Sequence, residues 1–477
     1  MSQLEVATLT GECNVLEAGA VRNLARDFNG QIARRGEAGY DSGRAVWNGM
    51  YDRYPALVVR CADADDVAKA VRFAREHELL VAVRGGGHSV AGFSSCDGGL
   101  VIDLSPMNGV RVDPEARVVR VQAGATWAEV DRATQAFGLA APGGVVSTTG
   151  VAGLTLGGGY GWLRRMYGLS CDNLLSAEVV TADGRRLAAN MTDNADLFWG
   201  LRGGGGNFAI VTEFEFRLHS VGPEIMYAVT LYPFDKGGEA IRAWRDFMAS
   251  APNEVTSDIT PWTVPQDPEL PAELHGRPII MLEAVYAGSA EEGRRALEPL
   301  QNLVEPLLDM SAITPYVAAQ SAVDELLPAR EKLYYWKSLN LRELNDEAIA
   351  TIVEECAGRP SPATLVPIRY LGGAIGSVGS GETAFGDRSS PILLSIDAAW
   401  SDPAQTEANI TWAREFWRRM QPFSSGGAYL NFGGMGEDGE ALVRASYGAN
   451  YRRLVELKNK YDPSNFLRLN HNIRPTV

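Results

Sequence analysis

The 477-residue chain is poor in the residues that build most metal and disulfide centres, with five cysteines and five histidines. Cys13, Cys61, Cys96, Cys171 and Cys356 form no CxxC pair and are too sparse for a disulfide framework. His77, His88, His219, His275 and His471 are scattered without metal-ligand spacing, so no metal site is expected. No stretch approaches the roughly 18 consecutive apolar residues of a membrane span. Residues Met1 to Cys13 also lack the basic start and apolar run of a secretory leader. These absences predict a soluble protein of a reducing, cytoplasmic compartment. Positive charge is in deficit too: a net charge of -15 disfavours nucleic acid, which binds basic surfaces by releasing counterions.

What is present is ordinary globular composition, 45% hydrophobic and 22% charged, in a chain long enough for more than one lobe. An apolar stretch from Ala56 to Arg60 reads as a strand, followed by Asp63 as an N-cap and a helical pattern through Val67, Val71 and Phe73. Leu79 to Val83 and Leu100 to Leu104 read as strands, and Val110 to Val112 and Val118 to Val121 bracket the turn Asp113-Pro114. Thr126 and Glu129 have capping-box spacing before a helix that ends near Gly138. Ala177 to Thr181 and Phe208 to Leu218 continue the strand pattern. Beyond His219 the character changes to apolar runs at Ile279 to Val285 and Ile392 to Ile396, with helical patterns at Ala240 to Met248, Ala290 to Val304 and Gln405 to Met420. This predicts a second, α+β domain, with the stretch from Gly426 returning to the first. There is no internal repeat, and nothing in the pattern specifies an oligomeric state.

The chemistry is signalled by glycine. Gly85, Gly86 and Gly87 follow a strand, where successive glycines let several N–H groups converge on an anion such as a phosphate. Arg84 adds a formal positive charge, and His88 sits at the rim of this cradle. The alternative is a tight turn with no ligand. A second cluster, Gly153 to Gly161, lacks both the preceding strand and the GxGxxG spacing of a Rossmann fingerprint. A third, Arg202 to Asn207, precedes a strand and not a helix. Several non-helical glycine loops converging on one ligand therefore fit better than a doubly wound nucleotide fold.

The segment RGGGHSVAGFSSCDGGLVIDLSPMN, Arg84 to Asn108, resembles the FAD-binding segment of the berberine bridge enzyme-like branch of the vanillyl-alcohol oxidase (PCMH-type) flavoprotein superfamily. GGGYGWLRRMYGLSCDNLLSAEVVTADG (Gly157 to Gly184), DLFWGLRGGGGNFAIVT (Asp196 to Thr212) and YDPSNFLRLNHNIRP (Tyr461 to Pro475) resemble that family's later motifs, in the right order. The resemblance implies an α+β fold: a two-lobed PCMH-type FAD-binding domain with an inserted antiparallel-sheet substrate domain. The boundaries expected are 1–220 for the N-terminal part, its PCMH-type lobe about 50–220, then 221–425 for the substrate domain and 426–477 for the returning segment. It implies that His88 bonds covalently to the flavin. Many relatives carry a second, cysteinyl link, but the matching position is Val146, so a single link is expected, with Cys171 an unpromising substitute. Cofactor-lining positions carried over are Ser89, Gly92, Val146, Thr148, Gly150, Gly153, Gly157, Ile210, Asn431 and Asn470, beside Arg84 to His88.

By the same resemblance the enzyme passes hydride from a C–H bond next to oxygen or nitrogen to the flavin, and electrons then go to O₂, giving H₂O₂. The substrate implied is a small molecule: a secondary alcohol, a sugar or an amine. Tyr429, in a YxNY-like motif whose second aromatic is Phe432, matches the family's tyrosine base. A phenol with a pKa near 10 needs help to act as a base at neutral pH, and Arg369 or Tyr370, just before Gly372-Gly373, is the expected helper. Tyr370 as a mere packed strand aromatic is the competing reading. A tailoring oxidase or oxidative cyclase of secondary metabolism, a flavin dehydrogenase and a non-catalytic flavin-binding protein remain as alternatives.

Overall fold

The computed structural model describes residues 4–434 and 439–477; Met1, where the stretch inspected for a leader begins, lies outside them. The first unit is a four-stranded sheet in the order Gln31–Ala33, Leu57–Arg60, Leu100–Asp103, Val81–Arg84. Leu57–Arg60 and Val81–Arg84 both run parallel to Leu100–Asp103. The helix Ala64–Glu76 makes one crossover, and the Asp63 carboxylate caps it by accepting from the Asp66 N–H. A five-stranded antiparallel sheet follows, in the order Arg186–Asn190, Leu174–Thr181, Ala209–Arg217, Val118–Gln122, Val110–Asp113. The helix Trp127–Gln135 opens on the Thr126/Glu129 capping box that the spacing predicts.

Between Glu224 and Trp400 the chain builds an eight-stranded antiparallel sheet. Its path runs Leu308–Asp309, Glu224–Pro233, Pro278–Tyr286, Val255–Thr263, Ile368–Tyr370, Ile392–Trp400, Leu333–Leu341, and the eighth strand, Ala312–Pro315, also pairs with Glu224–Pro233. Strand alternation gives this sheet two unlike faces. Ile259, Ile280, Leu282, Leu394 and Ile396 pack on one side against Trp244 of the helix Gly237–Met248 and Phe416 of the helix Thr406–Met420. Asp258, Glu283, Arg369 and Asp397 take the opposite side, and all are buried.

Local chemistry explains where sequence and structure part. The helix expected from Ala290 to Val304 stops at Leu297 and continues as a 3-10 turn, Glu298–Asn302, because Pro299 has no N–H to extend the ladder. Inside the glycine-dense stretch, where no helix is expected, Val151–Leu156 is a short helix.

The two parts of the chain also meet at Asp131, buried on the helix Trp127–Gln135, whose carboxylate accepts from Gln320 Nε2 at 3.1 Å. Burial pushes its pKa up to about 7, with the Gln320 hydrogen bond opposing weakly. A carboxyl raised in the folded state stabilises it below the unfolded pKa and loses that contribution as pH rises toward 7. Asp131→Asn should therefore be more heat-stable than the wild type at pH 8, by up to about 4 kcal/mol, and lose the advantage at pH 4. Thermal melts of both proteins across that range check it.

Candidate functional site

A cleft of about 320 Å³ opens between the glycine loops and the polar face of the large sheet. One wall is the turn after Val81–Arg84. The main-chain N–H groups of Gly86, Gly87, His88 and Ser89 donate to no other group among the described residues, leaving a row of donors for an anion. Gly86 lies against Gly150 backbone to backbone: a Cβ on Gly86 would sit 2.5 Å from Gly150 Cα. Only glycine at both positions permits the two loops to meet.

The C-terminal segment closes the same wall. Lys458, fully buried, donates to the Asn207 carbonyl at 2.8 Å, to the Leu467 carbonyl at 3.0 Å and to Asp462 at 2.7 Å. Asn470 donates to the Gly206 carbonyl at 3.2 Å, while its Oδ1, also buried, accepts from nothing in the described chain. A Cβ added at Gly153 or Gly206, both in the cleft lining, would meet no atom within 4 Å. A bared backbone, a row of free donors and an orphaned amide oxygen suit a dinucleotide with its pyrophosphate and heterocycles, so the residues present fit FAD.

His88 stands at the junction. Its ring stacks on Trp47 at 5.1 Å, with Nε2 3.0 Å from Thr148 Oγ1 and Nδ1 3.4 Å from Thr149 Oγ1. Burial, with the nearby Arg84 cation, lowers its pKa to about 4, so the imidazole is neutral at physiological pH. Trp47, which orients it, carries no motif and is found only in three dimensions.

Among the positions inferred from sequence, Gly85, Gly86, Gly87, Ser89, Val146, Gly150, Gly153, Gly157, Ile210, Asn431 and Asn470 line the cleft with His88. Three readings need correction. Arg84 is not a free ligand of the cradle: its side chain pairs with buried Asp103 at 2.9 Å and donates to the Ala45 carbonyl at 3.0 Å, and only its field reaches His88. Gly92 is a turn glycine at φ +69 packed under Tyr51, where a Cβ would come 2.5 Å from the ring. Tyr370 packs with the outer core, edge-on to Trp244 at 6.0 Å, because strand alternation sends Arg369 inward and its neighbour outward. Thr148 reaches the site through His88.

Tyr429 is buried in the lining. Its hydroxyl accepts from the Gly159 N–H at 3.1 Å and from Asn431 Nδ2 at 2.8 Å. These donors favour a phenolate, yet burial dominates and pushes the pKa up to about 12. Arg369, expected to assist, instead pairs with Asp258 at 3.3 Å and lies over the Phe432 ring at 5.0 Å. Sequence reasoning misses Asp397, a carboxyl in the same lining that accepts a hydrogen bond from Ser395. Burial raises its pKa to about 6, with Arg369 and then Ser395 pulling the other way. Its only sequence signal is an acid at an inward position of a strand that is otherwise apolar apart from Ser395. Tyr429 reaches the same patch of sheet through reciprocal bonds with Ser338, both 3.0 Å, and Ser338 is the cross-strand partner of Ser395.

A cradle fit for a dinucleotide, with a carboxyl and a tyrosine in the same cleft lining, is the site of an FAD-dependent oxidoreductase. Comparison with known proteins agrees: residues 55–190 match the FAD binding domain family and residues 428–474 the berberine and berberine-like family. An FAD-linked oxidoreductase of Dictyostelium discoideum is 31% identical over 461 residues, 95% of this chain and 97% of the relative. The (R)-6-hydroxynicotine oxidase of Paenarthrobacter nicotinovorans is 29% identical over 459 residues, 94% of this chain and 97% of the relative. The crystal structure of 6-hydroxy-D-nicotine oxidase from Arthrobacter nicotinovorans matches with a TM-score of 0.83 at 26% identity, covering 94% of this chain and 98% of that one. The chain belongs to the berberine and berberine-like family of FAD-linked oxidoreductases.

The contact between the two loops gives a direct test. Gly150→Ala should yield protein with less than about a tenth of the wild-type flavin, because the added methyl must push Gly86 out of the cradle; the ratio of flavin to protein absorbance measures it.

Proposed function

We propose that the protein is an oxidase that carries FAD on a single covalent bond to His88 and takes hydride from a C–H bond next to oxygen or nitrogen, with Asp397 as the base. The observation that carries the proposal is Asp397: a buried carboxyl in the cleft with a pKa near 6, ionised at neutral pH yet still basic enough to accept a proton. FAD held there would supply the two-electron acceptor and, once reduced, would return both electrons to O₂, which takes up two protons and leaves as H₂O₂.

The chain's own residues do the rest. His88 is held neutral by burial, which leaves a nitrogen lone pair for bonding carbon, and Trp47, Thr148 and Thr149 fix its ring. Val146 stands in the lining where a second, cysteinyl attachment would need a thiol. Cys171 points elsewhere, its thiol 3.7 Å from the Asp172 carboxylate. Asp397 takes the proton from the substrate hydroxyl or amine as the hydride leaves the adjoining carbon, so the product is a carbonyl or an imine. Tyr429 holds its proton at this pKa and acts as a hydrogen-bond donor to the substrate. In this reading residues 1–220 and 426–477 hold the cofactor while 221–425 shape the substrate side. The ties from Lys458 and Asn470 to the Gly206-Asn207 loop support that division.

Two measurements test the proposal. Acid precipitation should leave flavin in the wild-type pellet and release it from His88→Ala; flavin in the supernatant from both would remove His88 as the attachment point. Because a base must be ionised to accept a proton, kcat/KM should fall as pH drops below about 6 and level off above 7. Asp397→Asn should lose that limb together with roughly 10²- to 10⁴-fold of the rate.

A further inference from the structure

Three groups fix the His88 ring: Trp47, stacked on it at 5.1 Å, and the Thr148 and Thr149 hydroxyls, 3.0 and 3.4 Å from its two nitrogens. All three are held from one short piece of chain, residues 324–330. That piece lies between the helix Tyr316–Ser321 and the strand Leu333–Leu341 of the large sheet, more than 170 positions away in sequence from the turn it holds.

The threonines belong to a tight turn in which the Thr149 N–H donates to the Val146 carbonyl at 3.1 Å. Ser147 sits inside that turn. Its N–H and its hydroxyl both donate to the Asp324 carboxylate, at 2.8 and 2.5 Å. The Ser147 and Thr149 carbonyls accept from the Ala128 and Trp127 N–H groups at the start of the helix Trp127–Gln135. The turn is therefore clamped between that helix and Asp324. A carboxylate that takes two donors binds more strongly than a neutral acceptor and fixes orientation as well as distance.

Trp47 is gripped from the same place. Its indole N–H donates to the Leu327 carbonyl at 2.9 Å, and its own carbonyl accepts from the Arg330 N–H at 2.8 Å. The Leu327 N–H in turn donates to the Asp324 carbonyl at 3.1 Å, which joins the grip on Trp47 to the grip on Ser147.

We infer that Asp324 is a positioning residue for covalent flavin attachment: acting through Ser147, and in concert with the Leu327–Trp47 bond, it aims the His88 ring at the flavin. The inference rests on the His88 attachment proposed above, and adds that the link forms only where residues 324–330 are seated. Attachment replaces one C–H of a flavin methyl group and the N–H of His88 by a C–N bond. The two electrons released go to O₂, which takes up the two protons and leaves as H₂O₂. Such a bond tolerates little error of aim, since a displacement of about 1 Å can cost on the order of 10²-fold in rate.

The test follows full-length protein over the first hours of expression, scoring total bound flavin and the fraction of it that stays in the pellet after acid precipitation. Asp324→Ala should keep at least about half of the wild-type flavin while its acid-stable fraction rises roughly fivefold or more slowly. Ser147→Ala, which loses the hydroxyl bond but keeps the N–H bond, should be slowed less, and Asp324→Asn, which can still accept from the Ser147 N–H, should recover part of the rate. Glu325→Gln, at an exposed neighbour, should match the wild type. A wild-type rate in both alanine variants overturns the inference. So does a loss of bound flavin from both, whether the remainder attaches normally or none remains, because residues 324–330 would then serve binding and not attachment. Flavin released by acid from the wild type itself removes the His88 attachment and the inference with it.

Discussion

The carboxylate of Asp258 holds two arginines that come from distant parts of the chain. Arg164, fully buried, arrives from the helix that follows the GGGYG segment, and Arg369 from the neighbouring strand of the large sheet. Removing one partner of such a group strands a buried charge, at a cost of about 3–5 kcal/mol, so the three are retained or lost together. The consequence is architectural. The segment after the GGGYG motif is tied to the large sheet, and Arg369 is held in the cleft lining.

The glycine loops obey a second constraint, closeness of backbone to backbone. Gly86 against Gly150 and Gly157 against the Asn431 amide leave no room for a side chain. Asn431 in turn donates to the Leu154 carbonyl and to the Tyr429 hydroxyl, so one amide links the short helix Val151–Leu156 to the tyrosine. From the other end of the chain, Asn207 receives the Ile473 N–H at 3.0 Å and donates to the His471 carbonyl at 3.3 Å. The cradle is thus made by segments far apart in sequence, and its shape depends on tertiary closure more than on any one motif.

How much of this is legible in the sequence differs by physical cause. Features set by local chemistry read well: the Asp63 cap, the Thr126/Glu129 box, the alternation of Ala209–Arg217 and the glycine turn at Gly85 to Gly87. The cofactor class read well too, because phosphate cradles need bare backbone and bare backbone needs glycine. Features set by which way a side chain points did not. Arg369 and Tyr370 are adjacent and were read alike, yet one faces the cleft and the other the helices. Asp397 carries no signal beyond being an acid in a mostly apolar strand, and Arg84 reads as a phosphate ligand in sequence although it pairs with Asp103 in the fold. Trp47 has no local signature at all. Register and facing are tertiary facts, decided by packing across strands that lie far apart in the chain.

The different protonation states of Tyr429 and Asp397 follow from the same burial acting on two acids of unlike starting strength. Each group is neutral when protonated, so a low dielectric raises both pKa values. The carboxyl starts near 4 and arrives at about 6, still below neutrality; the phenol starts at 10 and arrives at about 12. Hydrogen bonds to the phenol oxygen recover part of that rise but fall short of what proton abstraction at neutral pH requires. With its oxygen already accepting from Gly159 and Asn431, the hydroxyl has its own proton left to offer. The one cleft lining therefore holds a carboxyl that is ionised and a phenol that is protonated at neutral pH, two opposite hydrogen-bonding characters drawn from one physical cause.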